Sequence, residues 1–409
     1  MFQREITPKL MEALEEDPVV FLRGPRQAGK TTLAASLKDG RQYHTLDDLA
    51  TLAAAKSDPE AFVAGLADRV VIDEVQRVPE LLLAIKRQVD QERVPGRFLL
   101  TGSSEIRTTG AIAESLAGRM RMLDLWPLSQ SEIAGGTGAW IDELWDGSLA
   151  KERGTKVWEK PDLLNGILRG GFPVAVTRKT PAGAQRWLRA YADALIERDM
   201  TDLARIGDVA QMSRLLSLFG SRTATVANYA DFARVLQVPL TTVRRYLALA
   251  QAVFLAFELP AWTGNTTARL VRQPKLHLCD TGIACVLAGL DGKSMEAQPI
   301  LLGQIFETFV VTEIRKAVAW SPRDLRLAHF RSHAGREVDL VIEARDGTLC
   351  ALEMKLGTTV RAGDFAGLRH LQETAGPKFR HGYVVHGGNR FLSFAPDLHA
   401  LPISALCGF

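Results

Sequence analysis

The stretch GPRQAGKT at residues 24–31 constrains this chain more than any other: two glycines five positions apart, the second followed directly by Lys30 and Thr31. An apolar run, VVFL at 19–22, leads into it, and TLAASL at 32–37 leads away in helix-forming residues. A buried strand that turns through glycines into a helix belongs in a layered α/β sheet. The glycines let backbone N–H groups point inward around an anion, and the helix start presents its positive end to the same anion. On that spacing Gly24, Pro25, Arg26, Gln27, Ala28, Gly29, Lys30, Thr31 and Thr32 form a cradle for the phosphates of ATP. Lys30 is expected to reach the β- and γ-phosphates and to serve catalysis, and the Thr31 hydroxyl to ligate Mg2+.

Two further runs belong to the same sheet. RVVIDE at 69–74 is a buried strand that delivers Asp73 at its end, where a carboxylate can hold magnesium through a water, and Glu74 next to it, which can orient an attacking water. RFLLTGSS at 97–104 ends its strand beside the γ-phosphate, where Thr101, Ser103 or Ser104 can sense the nucleotide by hydrogen bonding. Apolar runs at 19–22, 43–46, 69–72, 97–100 and 120–125, separated by helical stretches, predict a parallel five-stranded sheet.

At 409 residues the chain is too long for one ordinary core, and 46% apolar with 24% charged residues is the composition of a globular protein. The net charge of +3 excludes a strongly basic or acidic protein, so any nucleic-acid surface must come from local clustering. Cys279, Cys285, Cys350 and Cys407 form no CxxC pair, which argues against structural zinc and for a reduced, cytoplasmic setting. No apolar run of about 18 residues appears, and the first residues mix both charges, so neither a membrane span nor a signal peptide is expected.

A Gly-rich, polar stretch over 133–154 reads as a boundary or an exposed excursion, and helical periodicity dominates 187–203 and 212–250. Residues 229–260 have the order helix, turn at 237–240, second helix opened by Thr241, then a β-prone run, which is that of a winged helix-turn-helix. Thr242, Arg244 and Arg245 near the start of its second helix are candidates for DNA or RNA contact, against the alternative of a solvated face on a packing or regulatory module. A helix over 303–319 and further strands follow. The expected division is 1–135, a P-loop domain; 155–262, a helical and winged-helix region; and 270–409, a nuclease-like α/β domain.

EVDLVIEARDGTLCALEMKLG at 337–357 alternates around Arg345-Asp346-Gly347, which predicts a β-hairpin with Gly347 at the position needing positive φ. Counting back from Ala344 opposite Thr348 sets Asp339 opposite Glu353, two carboxylates roughly 5 Å apart at Cβ. The period of two puts Lys355 on the face of Glu353. This pattern resembles the metal-dependent PD-(D/E)xK nucleases, and the resemblance implies Mg2+ or Mn2+ held by Asp339, Glu353 and a helix carboxylate, with Lys355 stabilising charge. Glu307 and Glu313 compete for the helix position; six residues apart, about 240° around the helix, they cannot share one metal, and Glu307 is favoured. Arg331, His333 and Arg336 lie just upstream for phosphate.

GPRQAGKTT, YHTLDD, VIDEVQR, RFLLTGSS, SLAGR at 115–119, LDLWPLS at 123–129, NYADFARVL, TVRRYLALA, PKLHLCDTGIA and GQIFETFVVTEI together resemble prokaryotic AAA-type P-loop ATPases that carry a C-terminal domain of unknown function. The resemblance implies an extra strand between the two nucleotide-binding strands and a catalytic glutamate at Glu74; a homo-oligomer is a candidate partner state, because AAA-type folds often complete their site across a subunit interface. Arg119 is then the candidate for an arginine sensing the γ-phosphate, in cis or from a neighbouring subunit. The expected function is Mg-ATP hydrolysis coupled to a nucleic-acid-binding C-terminal module. The alternatives are a nucleotide-switched regulator or scaffold, and an ATP-linked metal-dependent endonuclease.

Overall fold

The computed structural model describes residues 2–102, 116–136, 140–149, 158–200, 209–264, 272–332 and 334–407. The chain divides into two compact units, one comprising Arg4–Pro127 with Gln251–Phe254, the other Leu128–Ala250 and Leu255–Phe409 with the first three residues.

The first unit is built on β1 (Val19–Arg23), β2 (Gln42–Thr45), β3 (Val70–Asp73), β4 (Phe98–Gly102) and β5 (Met120–Asp124). Their order is β2-β3-β4-β1-β5, and every pairing is parallel. The five expected strands are found, and β4 separates β1 from β3. Val19, Val20, Leu22, Val70, Val71 and Ile72 are all buried, because a parallel sheet covered on both faces needs continuous apolar runs in its strands. The helix Leu81–Gln91 buries Leu81, Leu82, Ile85 and Val89, one stripe at helical spacing. Parallel strands place their carboxyl ends along one edge, so Arg23, Asp73 and Gly102, the last residues of β1, β3 and β4, stand along it.

The second unit has two sheets. β6 (Thr225–Val226), β7 (Ala256–Leu259) and β8 (Lys275–Leu278) form an antiparallel sheet in the order β6-β8-β7. β9 (Leu325–Arg331), β10 (Glu337–Ala344), β11 (Leu349–Lys355), β12 (Phe379–His386), β13 (Leu392–Ala395) and β14 (Leu398–Pro402) form a mixed sheet in the order β13-β14-β12-β11-β10-β9. The 22-residue helix Pro299–Trp320 packs against β9 and β11, and Ala366–Ala375 against β10, β11 and β12.

The β10–β11 register, Leu340 with Leu352 through Glu343 with Leu349, is the one counted from the sequence. Its turn closes with the Ala344 N–H donating to the Thr348 carbonyl at 2.9 Å, and Gly347 sits at φ 81°, where a side chain is strained. Over 229–252 two helices follow one another: Tyr229–Leu236, capped by Asn228, ends at Gln237 with φ 54°, and Leu240–Ala252 comes next. Residues 140–149 differ from the expected exposed excursion. The helix Trp140–Asp146 buries Trp140, Ile141, Leu144 and Trp145, and the Tyr383 hydroxyl of β12 donates to the Leu144 carbonyl at 2.7 Å. The two tryptophans outweigh the flanking glycines, since each aromatic removes a large apolar surface from water. Among the described residues no helix is long and apolar enough to cross a membrane.

Candidate functional site

The loop after β1 holds a concave backbone. Gln27 stands at φ 60° and Gly29, at φ 101°, opens the helix Lys30–Ser36. A Cβ on Gly24 would lie 2.1 Å from the Leu125 carbonyl oxygen, so only glycine lets the loop leave the strand this close to β5. Lys30 is buried, and its Nζ donates to the loop's own carbonyls, Gly24 and Pro25, each at 2.9 Å. Burial pulls this ammonium down to about 8, against the opposing pull of the Glu74 and Asp73 carboxylates. Arg26, Gln27, Thr31 and Thr32 are exposed, whereas Pro25 and Ala28 are buried.

Arg4, which the sequence reading passed over, fastens this loop from the N-terminal segment. It is buried and donates through Nη1 to the Ala28 carbonyl at 2.7 Å and through Nη2 to the Trp126 carbonyl at 2.6 Å. A lone arginine ahead of a helix carries no local signal for such a bridge.

Asp73 is where hydroxyls converge. Thr31 Oγ1 donates to its carboxylate at 3.0 Å, the Tyr43 hydroxyl at 2.8 Å, and Thr101 Oγ1 through a short bond. Thr101 also accepts the Glu74 N–H at 3.3 Å, which ties the ends of β3 and β4 together. Glu74 occupies left-handed backbone at φ 62°, ψ 42°, a strained conformation for a non-glycine, costing of order 1 kcal/mol or more. The Gln76 amide donates to the Glu74 carboxylate and orients it. Tyr43 lies in the YHTLDD run, on edge strand β2. Burial and the bond to Asp73 both push its phenol up, so it stays a donor.

Of the three sensor candidates, Thr101 is thus part of the Asp73 network, while Ser103 and Ser104 lie outside the described residues. Arg119 is not brought to the loop. It directly precedes Met120, which pairs with Val19 at the start of β1, so it sits at the edge of the sheet opposite the loop, where it pairs with Asp90.

In the second unit Glu307, Asp339, Glu353 and Lys355 do come together, with Lys275 of β8 among them. Lys275 Nζ donates to Glu307 at 2.7 Å and to Asp339 at 2.9 Å. The other Asp339 oxygen accepts the Met354 N–H at 2.9 Å, and Lys355 donates to Glu353 at 2.8 Å. Burial alone would lower Lys275, but Asp339 and Glu307 together outweigh it and hold the ammonium charged. The surplus negative charge falls on the other carboxyls: burial and Asp339 push Glu307 well up and Glu353 to about 7. Glu313 belongs elsewhere, paired with Lys316 at 2.6 Å and accepting the Gln130 N–H. Among the described residues no group of three or more His, Cys, Asp and Glu side chains is placed to hold a metal ion. Sequence reasoning missed Lys275, although K-L-H-L in a buried strand puts Lys275 and His277 on one face, which is itself a sign of an internal polar cluster.

Family comparisons cover most of the chain. An AAA domain matches residues 16–134, a domain of unknown function (DUF8612) residues 160–294, and another (DUF4143) residues 302–406. The uncharacterized protein Rv2008c of Mycobacterium tuberculosis is 32% identical over 343 residues, covering 83% of this chain and 71% of the relative. The uncharacterized protein Mb2031c of Mycobacterium bovis matches to the same extent. Among solved structures, the Walker-type ATPase of Pyrococcus abyssi is similar over 70% of this chain and 96% of that one, at 17% identity and a TM-score of 0.44.

Proposed function

This chain belongs to the family of the two mycobacterial proteins and carries an AAA domain; from that premise we propose that it binds Mg-ATP and hydrolyses it at Lys30, Thr31, Asp73 and Glu74. The observation that carries the reading is the convergence of these side chains on the carboxyl edge of a parallel sheet, where Thr31 Oγ1 and the Asp73 carboxylate are 3.0 Å apart. These hard oxygen donors suit magnesium, which when bound neutralises charge on the β- and γ-phosphate oxygens. Lys30 exchanges its bonds to the Gly24 and Pro25 carbonyls for the phosphates. Glu74, held by Gln76 and by its strained backbone, orients the attacking water. Lys30→Ala is expected to lose ATP binding, and Glu74→Gln to keep ATP while turnover falls about a hundredfold. Full turnover in either variant would overturn the assignment.

The finer reading is that hydrolysis is coupled to a nucleic-acid-binding module. Its support is the helix-turn-helix followed by antiparallel strands, a winged-helix order, with Arg244 and Arg245 exposed on its second helix. Replacing both arginines by alanine should weaken binding to DNA or RNA and flatten its salt dependence. An unchanged affinity would leave a nucleotide-switched regulator or scaffold. Since Arg119 stands at the far edge of its own sheet, γ-phosphate sensing by it requires a neighbouring copy in a homo-oligomer. A site of action in the cytoplasm fits the four buried free cysteines.

A further inference from the structure

The nuclease-like pattern implies a divalent metal at Glu307, Asp339 and Glu353, and the donors of this structure do not fit one. Lys275 stands on the middle strand of the three-stranded sheet, paired with Val226 on one side and Leu259 on the other, and is 4% exposed. That position is set by two strand pairings, so the ammonium is delivered by the sheet and not by a mobile loop. It takes one oxygen of Glu307 and one of Asp339, two of the three carboxylates a shared metal would need. A backbone N–H takes the second Asp339 oxygen and Lys355 one of Glu353.

Charge counting points the same way. Three carboxylates and two ammonium groups leave the cluster at −1, a deficit that one proton removes. A divalent ion added to that set would leave +1 in a largely buried place, which is costly. Without Lys275 the set is −2, and a divalent ion brings it to zero.

We propose that Lys275 is the built-in cation of this cluster, occupying the position a divalent metal would require, so that the C-terminal domain works without a metal ion there. Any contact with a phosphate group at this cluster would then be made by side-chain cations, without metal-assisted cutting. The inference is independent of the ATP site, and its failure would leave ATP binding and hydrolysis untouched.

The test is Mn2+ titration of the full chain without nucleotide, read by electron paramagnetic resonance and calorimetry. Wild type and Asp339→Asn are expected to show the same weak, non-specific uptake. Lys275→Ala should gain one site at least tenfold tighter, which Lys275→Arg lacks and which disappears in Lys275→Ala combined with Asp339→Asn. Tight Mn2+ binding by wild type that Asp339→Asn abolishes would overturn the proposal, and this arm does not depend on the Lys275 variants folding. A folded Lys275→Ala, as judged by circular dichroism, that gains no site would overturn it too. Cutting of plasmid DNA by wild type in Mg2+ or Mn2+, lost in Asp339→Ala, would restore the endonuclease reading.

Discussion

The ammonium of Lys30 gives the sharpest quantitative expectation. Burial brings it down to about 8, although Glu74 and Asp73 oppose the shift. An ordinary lysine, near 10.4, is still more than about nine-tenths charged at pH 9. With its value at about 8, Lys30 is about nine-tenths charged at pH 7 and about one-tenth at pH 9. Only the charged form attracts phosphate, so the apparent affinity for ATP should be nearly level from pH 6.5 to 7.5. It should then fall toward a limit of about tenfold per unit above pH 8, or about 1.4 kcal/mol per unit. The assay is equilibrium binding of a fluorescent non-hydrolysable ATP analogue with Mg2+ between pH 6.5 and 9.5. Lys30→Arg is the control: its guanidinium stays charged throughout, so whatever affinity remains should be independent of pH. Stability moves the other way. Between about 8 and the ordinary lysine value the unfolded chain binds more protons than the folded one, so the melting temperature should gain from rising pH through this group. A wild-type affinity that is flat to pH 9.5 would refute the reasoning, since Lys30 would then be either fully charged or not the phosphate contact.

Other consequences are as direct. Tyr43→Phe removes the 2.8 Å bond to Asp73 and should lower turnover severalfold with ATP affinity unchanged, measured as kcat beside Kd. Arg4→Ala strips donors from the buried Ala28 and Trp126 carbonyls and should cost about 1–3 kcal/mol in denaturant unfolding, with weaker ATP binding because the loop loses its fastening. Glu353 is pushed up to about 7 by burial and Asp339, against the pull of Lys355 and Lys275. From about 4.5 to about 7 the folded chain therefore holds more protons than the unfolded one, and stability from this group is lost as pH rises through that window. Glu353→Gln should accordingly raise the melting temperature more at pH 8 than at pH 5; the opposite order would count against the burial of this carboxyl.

What was legible in the sequence follows from how local each signal is. The loop at 24–31 and the strand ends at Asp73 and Glu74 could be read because phosphate chemistry requires fixed residue types at fixed spacing, and continuous apolar runs mark buried parallel strands. The hairpin register was legible because Gly347 and the alternation on either side admit one pairing that keeps apolar residues inward. The burial of Trp140 and Trp145 was not, because glycines and charges around them mimic a loop while the surface that covers them comes from strands some 200 residues away. Arg119 illustrates the converse: its motif neighbourhood resembled a sensor, and the direction of β5 carried it to the opposite edge of the sheet.

By itself the sequence determined the five strands of the first sheet, the phosphate loop, the acidic pair at the end of β3, and the register of the β10–β11 hairpin, since each depends on spacing within one strand, one loop or one hairpin. Only the tertiary structure decided which groups stand between those elements. Arg4 reaches the loop, Tyr43 and Thr101 reach Asp73, and Lys275 enters the carboxylate cluster from another sheet. These contacts join residues 24 to 64 positions apart, and a buried charge chooses its partner by three-dimensional proximity in a low-dielectric interior, for which no short stretch of sequence carries a pattern.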